Sequence, residues 1–109
     1  MGMLFVPIGR DLQSHKNRQI RLEHAGYSFD KVFWSTLDCE VFMVKRPDGD
    51  VLDHFKFLGH ALNRAEKDIS FIRSMLGLND VSENLKVFWN QVLENYEVSG
   101  TDDFWADRV

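Results

Sequence analysis

The chain is poor in residues that tie a protein together covalently or break it into loops. Its 109 residues include one cysteine, two prolines and seven glycines. A single thiol, Cys39, forms no internal disulfide, so a disulfide-stapled scaffold is excluded and a reduced, cytoplasmic setting is expected. The low proline and glycine content excludes a collagen-like or Pro/Gly-rich chain. No apolar run approaches the ~20 residues of a membrane-spanning helix, and no membrane partner is expected. Residues 3–8 are apolar but short, lack a basic flank and are broken by Pro7, which is not a signal-peptide pattern. G-x-S-x-G, H-E-x-x-H, P-loop and G-x-G-x-x-G motifs are missing, as are repeats and low-complexity tracts.

What the chain does have is aromatic mass and unevenly spread charge. It carries nine Phe, three Trp and two Tyr, with 44% hydrophobic and 28% charged residues. Each aromatic side chain can bury ~150–250 Å², so one domain is expected to fold without a metal or cofactor. Thirteen Lys and Arg against seventeen Asp and Glu give a formal charge of −4. Residues 1–31 hold five cations and three acids, so the acidity lies downstream. It peaks where Glu94, Glu97, Asp102, Asp103 and Asp107 face a single cation, Arg108. An acidic molecule repels nucleic acid as a whole, although a local basic face still attracts it.

Residues 3–8 read as a short strand, with Pro7 at an edge or end. Residues 10–25 suit either helix or strand: Ile20, Leu22 and the pair Glu23-His24 give a partial strand alternation, but a helix over 11–24 is preferred, capped by Asp11 or Ser14, with Gly26 in the left-handed position beyond it. Its polar composition leaves a narrow stripe through Leu12 and Ile20 to bury. The strongest local signal spans 39–57. Strand formers flank Arg46-Pro47-Asp48-Gly49-Asp50, where Pro47 presets φ and Gly49 takes the positive φ of a bulged turn, which predicts a β-hairpin. In 60–76, Leu62, Ala65, Ile69, Ile72 and Leu76 form one helix face, closed by Gly77. Asp80 and Glu83 form a capping arrangement for a helix over 80–96. Its face is Val81, Leu85, Phe88, Val92 and Tyr96, widened by Trp89 and Leu93. The short link pairs these two helices as an antiparallel αα-hairpin.

The predicted fold is α+β. A small antiparallel sheet, the 39–57 hairpin plus the 3–8 strand, packs against the C-terminal αα-hairpin. One domain covers 1–98, followed by an acidic tail at 99–109. Leu62, Ile69, Ile72, Leu76, Leu85, Phe88 and Val92 are expected in the core, with Phe42, Val44, Phe55 and Phe57 from the hairpin.

No catalytic, metal or cofactor site is expected. Asp53 and His54 are neighbours on a strand and point to opposite faces, so they do not converge with Asp50 and His60 on a metal. Asp48 and Asp50 supply half of a calcium loop without its closing Glu, and turn chemistry accounts for both. Cys39 stands between Asp38 and Glu40, whose charge disfavours the thiolate a nucleophile needs.

Two binding functions remain. The leading one is a non-catalytic protein-interaction module, accessory or inhibitory. Trp89, Phe104 and Trp105 would anchor another protein, and Glu94, Glu97, Asp102 and Asp103 would steer it. A homodimer is a second form of such a contact, and the Phe104-Trp105 pair folding back on its own domain is a third. The alternative starts from residues 18–33, where Ala25-Gly26-Tyr27-Ser28 suits the turn between two helices and Val32 a buried position in the second. A hairpin follows. The order resembles a winged-helix module, which implies nucleic-acid binding with Arg10, Lys16, Arg18, Arg21, Lys45 and Arg46 on phosphates. The protein-binding reading leads because 29–34 carries Phe29, Phe33 and Trp34 where base-contacting polar residues belong.

Overall fold

The computed structural model describes residues 14–78 and 80–106. The strand expected at 3–8, and with it Arg10, Asp11 and Leu12, lies outside the described residues.

Ser14 caps the first helix, α1 (His15–Ala25), its hydroxyl accepting from the Asn17 amide at 3.2 Å. Gly26 closes the helix at φ 115°. Its N–H donates to the Glu23 carbonyl and the Tyr27 N–H donates to that of Leu22. Such a closure favours a residue without Cβ, and a Cβ on Gly26 would also meet that of Pro47 at 2.9 Å. The buried face differs from the expected stripe: Asn17, Leu22 and Ala25 are buried, while Ile20 is only half-buried.

After Gly26 the chain enters a strand, and the second helix of the helix–Gly–helix reading does not form. β1 (Ser28–Trp34) pairs antiparallel with β2 (Cys39–Lys45), Phe29 opposite Val44 and Val32 opposite Val41. Val32, Phe33 and Trp34 prefer the half-buried pleat that this pairing provides. In the intervening turn Asp38 takes φ 52°, a conformation Asp tolerates better than most residues.

β2 pairs in turn with β3 (Val51–Phe55), Phe42 opposite Phe55, with an irregularity between Val44 and Lys45. Gly49 sits at φ 96°, Arg46 N–H donates to the Asp50 carbonyl at 2.8 Å, and the Asp48 carboxylate accepts from Asp50 N–H at 3.0 Å. The expected hairpin is therefore present, as the second and third strands of an antiparallel sheet ordered β1-β2-β3.

α2 (Leu58–Leu76) lies on β2 and β3, and α1, α2 and α3 (Glu83–Val98) pack on one another. Leu62, Ala65, Ile69 and Ile72 are buried as their spacing predicts. They share one core with Leu22, Tyr27, Phe29, Val44, Trp89 and Val92. Full burial of each large aliphatic side chain contributes ~1.5–3 kcal/mol. The N-cap of α3 is Ser82, whose hydroxyl accepts from Leu85 N–H at 3.3 Å, and not Asp80.

Three expected core residues are exposed: Phe57, Leu85 and Phe88. Phe57 is the extended residue that opens α2, and Leu85 and Phe88 lie in the first turns of α3, ahead of the point where Trp89 and Val92 enter the core. Residues 102–106 form a short helix, α4 (Asp102–Ala106), whose Trp105 is buried. The chain is thus an α+β domain with its sheet packed against helices.

Candidate functional site

Three of the six cations assigned to phosphate contacts are engaged inside the domain. The Arg18 guanidinium grips Glu66 through two hydrogen bonds, 3.0 and 2.6 Å, and reaches Asn63 Oδ1 at 2.6 Å. Arg21 donates to Ser99 Oγ at 3.2 Å and to the Tyr96 carbonyl at 3.1 Å, and its guanidinium lies over the Tyr96 ring at 4.1 Å. Arg46 Nε donates to Asp68 Oδ2 at 3.0 Å, and its guanidinium stacks on Trp89 at 4.6 Å. Lys16 is exposed and Lys45 half-buried, while Arg10 lies outside the described residues.

The Arg46 contact belongs to a buried polar cluster. Asp68 is 3% exposed and also accepts from the Tyr27 hydroxyl at 2.6 Å. A buried carboxylate needs such partners, because unpaired it would lose its hydration without compensation. Among the described residues no buried side-chain polar atom lacks a partner, and through Tyr27, Arg46 and Asp68 the cluster ties the start of β1 and the end of β2 to α2.

Burial, followed by the bond to Asp68, holds the Tyr27 phenol well above its ordinary value, and burial also raises that of Tyr96. The folded state therefore favours the neutral phenols. Their contribution to stability is complete below pH 10.0, the ordinary value, and is lost as pH rises beyond it. These are the only two tyrosines. An absorbance titration is expected to show little phenolate at pH 10.0, with thermal stability falling from there upward. Half-ionised tyrosine at that pH in folded protein would contradict the packing of both rings.

The residues assigned to protein binding divide into two sets. Trp89 and Trp105 are buried, so neither ring is presented on the surface. Trp105 Nε1–H donates to the Ser99 carbonyl at 2.7 Å, and the half-buried Phe104 meets the His24 ring edge-on at 4.8 Å. Glu94, Glu97, Asp102 and Asp103 are exposed, and Glu97 pairs with Arg73.

Other apolar residues occupy the surface instead. In the link and first turns of α3, Leu78, Leu85 and Phe88 are exposed. Leu85 shares a helix face with Trp89, Val92 and Tyr96. Around the sheet, Phe33, Trp34 and Phe57 are exposed as well. Hydrophobic periodicity marked Leu85 and Phe88 as apolar-face residues; it gave no sign that they stay exposed.

The histidines stand in separate aromatic contacts: His54 against Trp34 at 4.5 Å and His60 against Phe57 at 5.7 Å. Among the described residues no group of three His, Cys, Asp or Glu is placed to hold a metal ion, and no helix is long and apolar enough to cross a membrane. Comparison with protein-family models, curated proteins and solved structures finds no match to this chain.

Proposed function

We propose that this chain is a non-catalytic protein-interaction module of the cytoplasm that binds another protein, or a second copy of itself, through the first turns of α3. One observation carries the reading. Leu85 lies on the same helix face as the core residues Trp89 and Val92, yet it is 49% exposed, and its neighbour Phe88 is 41% exposed. The apolar face of α3 runs on beyond its own core. Exposed apolar surface of this kind is typical of contact sites. The exposed acids Glu94, Glu97, Asp102 and Asp103 would speed the approach of a basic partner without fixing its affinity. The lone thiol of Cys39 supports the cytoplasmic setting.

The test is the double variant Leu85→Glu, Phe88→Glu. Both positions are substantially exposed, so the variant is expected to melt near the wild type. Sedimentation equilibrium reads self-association. Affinity capture from the host, followed by titration of each captured protein in purified form, reads other partners. The variant is expected to lose one of these associations at least tenfold. Equal behaviour of the two proteins in both assays sinks the proposal.

A further inference from the structure

We infer that the end of the sheet beside α2 is a binding groove for single-stranded nucleic acid, on a surface separate from the α3 face and independent of the reading above. The sheet register builds it. Phe29, Lys31 and Phe33 alternate onto one face of β1, and Phe29 on that face is core. In the next row Lys31 is opposite Phe42 and Phe42 is opposite Phe55, with the Lys31 ammonium 5.8 Å from the Phe42 ring. In the row beyond, Phe33 is opposite Glu40 and is 63% exposed. Phe55 then lines a groove of about 200 Å³ together with His60, Asn63, Arg64 and Lys67 of α2. Phe57, also 63% exposed, stands against His60 at its mouth.

The arginine of this groove differs from the other described arginines. Arg18, Arg21, Arg46 and Arg73 each hold a carboxylate or carbonyl oxygen. Arg64 is the one described arginine with no hydrogen bond or ion pair to a described residue, although it is half-buried, and Lys67 and Lys31 have none either. His60, Arg64 and Lys67 recur along one side of α2 with rises of about 6 Å and about 4.5 Å. A ligand that fits must bring negative charges strung along a line and flat apolar rings beside them. Single-stranded nucleic acid supplies both, phosphates for the cations and bases for Phe33 and Phe57. A duplex hides its base faces, and an anionic membrane or an acidic peptide offers charge without a run of rings.

The experiment is fluorescence anisotropy of the full chain with a labelled strand of about fifteen thymidines, within the usual site size for such grooves. An abasic strand of equal charge and a poly-glutamate peptide serve as comparisons. At about 50 mM salt the thymidine strand is expected to bind at least about tenfold tighter than either. Phe33→Ala and Phe57→Ala, both at exposed positions, should each weaken thymidine binding about fivefold or more and leave abasic binding unchanged. Lys67→Ala should flatten the slope of log affinity against log salt by about 0.7. Lack of thymidine binding at that salt, equal affinity for the abasic strand or the peptide, or indifference to both Phe substitutions would overturn the assignment. All variants are checked for wild-type melting first.

Discussion

Trp105→Ala is expected to lower the unfolding free energy by about 3–5 kcal/mol, the usual cost of truncating a buried Trp. The ring is 2% exposed, and its indole N–H donates to the Ser99 carbonyl. Ser99 is itself fully buried, and its hydroxyl donates to the Tyr96 carbonyl at 2.6 Å while accepting from Arg21. Trp105 therefore secures the end of α3, and through it the contact of α3 with α1. Trp105→Phe retains most of the packing and should cost about 1 kcal/mol for the lost bond, together with a small volume change. Urea denaturation followed by far-UV circular dichroism measures both. A loss under 1 kcal/mol for the alanine variant would mean that α4 is not docked. Deletion of 99–109 is for the same reason a poor test of partner binding, since it removes a core residue along with the acidic surface.

Asp68→Ala is expected to be comparably severe, about 3–5 kcal/mol, because it removes one side of a largely buried ion pair and leaves the other. Arg46 would keep only Asp48, 4.0 Å away, and the Tyr27 hydroxyl would lose its acceptor. Asp68→Asn keeps an acceptor for Tyr27 and removes the charge, so an intermediate loss is expected. Tyr27→Phe in the Asp68→Ala background should cost much less than in the wild type, since the hydroxyl no longer has a bond to lose. Additive losses in this double-mutant cycle, again read by urea denaturation, would show that the two groups do not interact in solution.

The hairpin and α2 are legible in the sequence because their signals are local. Pro47, Asp48 and Gly49 shape a turn within a few residues, and the 62–76 spacing sets a face whatever lies opposite. β1 is far less legible. Its turn, Ser35-Thr36-Leu37-Asp38, contains neither Gly nor Pro, and the positive φ falls on Asp38. Without that punctuation, residues 28–34 suit a second helix as readily as a strand. The shift of the α3 core has another cause. Periodicity places Leu85, Trp89 and Val92 on one face but is silent on how far along its length that face is covered. Trp89 becomes core through residues distant in sequence, among them Arg46 above its ring.

The candidate sites were less legible for the same reason. A list of cations cannot separate Arg18, Arg21 and Arg46 from Arg64, and a list of aromatics cannot separate Trp89 and Trp105 from Phe33 and Phe57. The sequence alone determined a single α+β chain with a tight hairpin, an amphipathic α2, no disulfide and a net negative charge. Tertiary structure decided which charged and aromatic groups remain available to a partner. Helix and turn rules act over a few residues, whereas Tyr27 meets Asp68, Arg18 meets Glu66 and Arg21 meets Ser99 across separations of 41, 48 and 78 residues. Only packing brings such groups together, and whatever it leaves without a partner is what the molecule can offer to others.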